Sequence, residues 1–146
     1  MIIMSKRTLL IITLIVSVLL VSCTSNQAHI VKDKTSTNIP FLKPTDTQLN
    51  KIVLSHTVSN PMKYDFIGKI TYKYNQDCIT ISPTETTLNV PIGKESADTI
   101  TISPNYMRYP SYDETCYGTQ NILLVLSNSI GTTVYDSQNV EISVTR

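Results

Sequence analysis

The residues able to do chemistry in this chain are few: three cysteines, two histidines and a cluster of tyrosines. Cys78 and Cys116 lie 38 residues apart, with no CxxC pair and no histidine near either. A zinc site draws its thiolates from close pairs, and a thiol nucleophile needs a neighbouring base, so both readings are weak. Two thiols so placed fit a disulfide if the chain folds where disulfides persist. His29 and His56 share no metal-ligand spacing, and His56 reads as a surface or edge histidine on a first strand. Asp113 and Glu114 are adjacent and point apart on an extended segment, which suits solvated loop charges better than an acid/base pair. There is no GxSxG, HExxH, phosphate loop or dinucleotide glycine pattern, and only four glycines in all. The expectation is a non-catalytic protein with no metal and no small-molecule substrate.

The densest cluster is Asn105–Tyr117, which holds Tyr106, Tyr109, Tyr112 and Tyr117, four of the eight tyrosines, together with Arg108. Tyrosine and arginine give rigid, amphipathic contact area and dominate binding hot spots. A bridge at Cys116 would pin the far end of this segment and lower the entropy lost on binding. Two readings stay open. The rings form a partner-binding surface, or they cap the open end of the fold and pack on its core.

The compartment is written at the N-terminus. Lys6 and Arg7 precede an apolar run from Leu9 to Val21, broken only by Thr13 and Ser17. Thirteen residues suit the hydrophobic region of an export signal, whereas a membrane-spanning helix needs about 20. The run ends in Leu20-Val21-Ser22-Cys23, which resembles the bacterial lipobox. Ser22 is small enough for the peptidase pocket, Leu20 fills an apolar subsite, and only a thiol can take the diacylglyceryl group as a thioether. The resemblance implies that residues 1–22 are a lipoprotein signal peptide. It also implies that Cys23 carries diacylglycerol and an N-acyl chain, with no other cofactor. Two or three acyl chains anchor a protein stably in a lipid bilayer, where one is marginal. Thr24 follows the cysteine, not the Asp of inner-membrane retention in the usual sorting rule, which points to the outer membrane of the cell envelope. Loss of Lys6 and Arg7 leaves 10 basic and 11 acidic side chains, too balanced a charge to attract nucleic acid. In an exported protein Cys78 and Cys116 are then expected to be bridged, closing a loop worth about 4 kcal/mol in the chain-entropy model.

These residues need elements to hold them. Thr24 to Thr47 is rich in Ser, Thr, Asn and Lys and has no amphipathic period. With Cys23 it reads as a flexible polar tether (residues 23–47) holding the domain roughly 25–30 Å from the membrane. Phe41 and Leu42 are its candidates for packing on the domain edge. Residues 48–146 read as one all-β domain. Asp65–Tyr74 alternates Phe66, Ile70, Tyr72 and Tyr74 against Lys69, Thr71 and Lys73, with Gly68 marking a bulge or a close backbone approach. Further strands are expected at Lys51–Val58, Cys78–Ser82, Thr86–Val90, Thr99–Ser103, Thr119–Ser127, Thr132–Asp136 and Val140–Thr145. Ile122–Leu126 lacks alternation and predicts a central strand buried on both faces. Ser127–Gly131 predicts a hairpin turn. The sum is a single immunoglobulin-like or transthyretin-like antiparallel β-sandwich of about 7–8 strands.

The order of lipobox, polar tether, Gly68-Lys69-Ile70-Thr71-Tyr72-Lys73-Tyr74, Cys78, a long β stretch, Cys116-Tyr117-Gly118 and a closing Ile/Val strand resembles the small surface lipoprotein antigens of Francisella-type intracellular bacteria. That resemblance implies an all-β, non-catalytic envelope protein: a surface or periplasmic binding or structural module with an unidentified protein partner. The alternative is an assembly lipoprotein of a secretion machine, similar to those that dock a type VI membrane complex.

Overall fold

The computed structural model describes residues 26–31, 37–40, 50–106 and 114–145. Two sheets face each other. The first contains β1 (His29–Val31), β3 (Ile52–Ser59), β7 (Glu95–Pro104) and β5 (Ile79–Ser82), in that spatial order. The second contains β2 (Thr37–Pro40), β9 (Val134–Thr145), β8 (Gly118–Asn128), β4 (Phe66–Lys73) and β6 (Glu85–Val90). Every pairing is antiparallel except β2 with β9. The fold is thus the expected antiparallel β-sandwich, with nine strands among the described residues.

The alternation of residue types builds the core. In β4, Phe66, Ile70 and Tyr72 point inward with Gly68 between them. In β7, Ile100 and Ile102 do the same, and in β9 Ile142 and Val144. β-Branched side chains dominate this layer because they fit a pleated, half-buried surface. Gly68 is required where it stands. A Cβ there would lie 2.3 Å from the Phe66 ring and 2.4 Å from the Ser127 carbonyl oxygen. The close approach is therefore at Gly68, while the break in register lies opposite, between Leu126 and Ser127 of β8.

Four sequence expectations are corrected. The tether is the first. His29–Val31 and Thr37–Pro40 are edge strands, and Ala28, Ile30 and Ile39 are fully buried. Short strands need only one inward apolar residue each when a preformed edge satisfies their backbone, so the polar composition hid them. β1 is also held from its free side. The Ile30 N–H donates to Asp136 Oδ2 at 2.8 Å, and the Gln138 amide donates to the Ile30 carbonyl, both from β9 of the other sheet. Phe41 and Leu42 lie outside the described residues.

Second, Ile122–Leu126 is not buried on both faces. β8 is the central strand of its sheet, but only Ile122, Leu124 and Leu126 point inward, and Leu123 is exposed because no layer covers the outer face. Third, the two last strands are one, since β9 runs unbroken from Val134 to Thr145. Fourth, β7 starts at Glu95, four residues before the expected Thr99, because β3 extends alongside it. The hairpin turn after β8 forms as read. Gly131, at φ 79°, donates its N–H to the Asn128 carbonyl, and Asn128 Oδ1 accepts from the Thr132 N–H.

Gly68→Ala should lower stability by about 1–3 kcal/mol, because the Ser127 backbone has to move to admit a methyl group. Urea unfolding should show a lower midpoint at unchanged slope.

Candidate functional site

The sandwich has two ends of different character. At one end Cys78 leads into β5 of the first sheet, and Cys116 closes a 3-10 turn (Glu114–Cys116) just before β8 of the second. The two are bridged, with Cα atoms 5.0 Å apart. The expected disulfide is therefore present, and it ties sheet to sheet. Its surroundings are fixed by local hydrogen bonds. The Cys78 and Ile79 N–H groups both donate to the Asn75 carbonyl, and the Cys78 carbonyl accepts from the Asn105 N–H. The Gln120 side chain donates to the Cys116 carbonyl at 3.0 Å.

Of the tyrosine segment, Tyr106 and Tyr117 are described, and both are half-buried. The Tyr106 hydroxyl accepts from the Asn50 N–H at 3.1 Å, and Tyr117 packs against the core. These two rings follow the capping reading. Arg108, Tyr109 and Tyr112 lie outside the described residues, as does Cys23.

The opposite end is organised by Asn60, which is completely buried. Its side-chain amide donates to the carbonyls of Val90, at 2.8 Å, and Tyr64, at 3.0 Å, and its Oδ1 accepts from the Met62 N–H. Its own N–H and carbonyl pair with Lys94 and Gly93. One asparagine thus locks the 60–65 and 91–94 loops together. The sequence signal was the Asn60-Pro61 turn pair, which sequence reasoning passed over.

Between the sheets lies a polar cluster that sequence reasoning also missed. His56 is only 3% exposed, not a surface histidine. It alternates with Leu54 and Val58 on the inward face of β3, and that shared period was the available signal. It stands across from Asp98 of β7. Tyr72 reaches over from β4. Its hydroxyl donates to Asp98 Oδ2 at 3.2 Å and lies 3.1 Å from His56 Nε2. Because the phenolic hydrogen goes to Asp98, the Tyr72 oxygen is satisfied when His56 Nε2 carries a hydrogen. Burial is the main cause that holds the Tyr72 hydroxyl protonated well above the ordinary tyrosine range, and the Asp98 carboxylate adds to it. The neighbouring cavity holds about 10 Å³, the room of a single water. The arrangement forms a polar tie between the two sheets, joining β3 and β7 to β4. Among the described residues no three His, Cys, Asp or Glu side chains gather as a metal cage would require.

No family model matches the chain, and no curated protein matches it. Solved structures share its general architecture at low identity. A FixG-related protein from Vibrio parahaemolyticus is 8% identical over 82% of this chain and 95% of that one, with a TM-score of 0.49. A PapD-like domain of human CEP192 is 12% identical over 83% of this chain and 85% of that one, with a TM-score of 0.42. A β-glucuronidase of glycoside hydrolase family 2 is 12% identical over 84% of this chain but only 12% of its own length, with a TM-score of 0.43. Likeness at this level assigns no activity.

Tyr72 makes stability pH-dependent on the alkaline side. Its folded pKa is raised above the unfolded value, so its contribution is complete below about pH 10 and is lost as pH climbs beyond it. Tyr72→Phe should cost about 1–3 kcal/mol near neutrality, since Asp98 loses its donor. It should also flatten the fall in melting temperature above about pH 10, which thermal unfolding across that range would register.

Proposed function

We propose that this chain is a bacterial envelope lipoprotein, anchored by acyl chains on Cys23 after removal of residues 1–22. Its sandwich then serves as a non-catalytic binding or structural module. The observation that carries the reading is the match of Leu20-Val21-Ser22-Cys23 to the lipobox, placed at the end of a short apolar run. The bridge between Cys78 and Cys116 adds support, because it accounts for the other two cysteines and leaves Cys23 as the odd thiol. Thr24 favours the outer membrane. The segment left as a partner-binding candidate is Arg108, Tyr109 and Tyr112, since Tyr106 and Tyr117 are engaged with the domain itself.

Two experiments test this. In cells expressing the full chain, mass spectrometry should find Cys23 at the mature N-terminus with a hydrophobic mass increment. Cys23→Ser should remain unprocessed or leave the detergent-rich phase. An N-terminus upstream of residue 23, or an unmodified Cys23, refutes the anchor.

For the loop, Tyr109→Ala and Tyr112→Ala should weaken capture of a partner crosslinked in intact cells by about 2 kcal/mol or more, with the melting temperature kept. A stability loss of about 3–5 kcal/mol with unchanged capture would make these rings structural.

A further inference from the structure

The described chain begins at Asn26, and Ala28 is already buried in the sandwich. Two residues, Thr24 and Ser25, separate Cys23 from Asn26, and the three Cα–Cα steps, fully extended, span at most about 11 Å. A lipid on Cys23 therefore leaves no room for a long stand-off. The end of the domain where the chain enters is forced close to the bilayer.

That end is well defined. β1 runs antiparallel to β3 with His29 opposite Ser59, so its start lies at the close of β3. Asn26 lines a cleft with Pro61, Met62, Lys63 and Tyr64. β7 starts at the same end, with Glu95 opposite Ser59. β4 starts there too, with Phe66 opposite Val90, and β8 ends there, with Asn128 opposite Gly68.

The apolar surface is gathered in the same place. Of seven exposed large apolar side chains among the described residues, five stand on these loops or within two residues of these strand ends. They are Tyr64, Ile67, Ile92, Ile130 and Val134, each 54–75% exposed. Single exposed apolar residues are ordinary, whereas a cluster at one end calls for a contact. The loops that carry them are prearranged. Asn60 locks the 60–65 loop to the 91–94 loop, and Asp65 Oδ1 accepts the Ile92 N–H at 3.1 Å.

We infer that this end docks on the bilayer that holds the acyl chains, with Tyr64, Ile92 and Ile130 set into the headgroup layer. The inference rests on lipidation of Cys23, as proposed above. The short span favours the bilayer over a protein partner, which would have to fit beneath the domain. Nearby exposed charges balance, Lys63 and Lys94 against Asp65 and Glu95, so attraction to anionic lipid is not the cause. Docking comes from apolar insertion, helped by a tyrosine whose ring suits the interface. The disulfide end then points away from the membrane.

The test uses the full chain, processed in cells and reconstituted into vesicles of phosphatidylethanolamine and phosphatidylglycerol. Ile92→Cys, Ile130→Cys and, at the far end, Thr119→Cys each supply one free thiol for an environment-sensitive fluorophore. Docking predicts blue-shifted emission and quenching by brominated acyl chains at 92 and 130, and neither at 119. Both effects should survive ~1 M salt, which screens charge to within about 3 Å. A lipidated, membrane-bound protein with no shift at any position overturns the docking and leaves the anchor standing. So does a shift at 92 and 130 that appears only when two copies crosslink, since a second copy then occupies the surface. An unmodified Cys23 overturns both.

Discussion

The two sheets are held together by one layer of interdigitated side chains, chiefly Ile70, Ile100, Ile102, Ile122, Leu124, Leu126, Ile142 and Val144. Period-two alternation supplies this layer, because each strand has one face to bury and one to leave in water. A polar group that enters the layer is costly unless it meets a partner there. The Tyr72 hydroxyl meets His56 and Asp98, so that three strands of both sheets share one polar tie. Asn60 meets its partners at the layer's edge with several hydrogen bonds from one side chain. The Cys78–Cys116 bridge adds a covalent tie at the other edge.

Much of this was legible in the sequence, and the gaps have physical causes. β4 was plain because its inward and outward residues differ sharply in type. β8 was found but its burial was misjudged. Leu123 and Val125 are apolar on an open face, and hydropathy does not report which face a neighbouring layer covers. β1 and β2 were invisible because their pairing is long-range and their backbones do most of the bonding. His56 carried its signal in its position between Leu54 and Val58, not in its residue type. The disulfide followed from cysteine count and compartment. The tyrosine segment was visible as composition, but composition cannot separate a ring that packs inward from one that faces a partner.

The docking of Ala28 and Ile30 changes what the polar N-terminal segment does. A segment read as a spacer becomes a coupling, since β1 is paired to β3 on one side and clasped by Asp136 and Gln138 on the other. The domain then inherits its orientation from its own framework. The end locked by Asn60 and the end tied by the disulfide are separated by the length of β8, about 35 Å for 11 residues. Under the proposed anchoring on Cys23, a partner reaching the disulfide end meets it at a height set by this rigid body.

The parallel pairing of β2 with β9 bears on how such a chain would mature. Thr37 lies beside Ile142 and Pro40 beside Thr145, so one of the earliest segments of the sandwich is completed by the last. Contacts this distant in sequence are slow to form, because the loop between them must close before they contribute. A chain threaded outward from its N-terminus would lack β9 until nearly all of it had emerged. The sheet edge formed by β2 is thus completed only when β9, its distant partner in sequence, is in place.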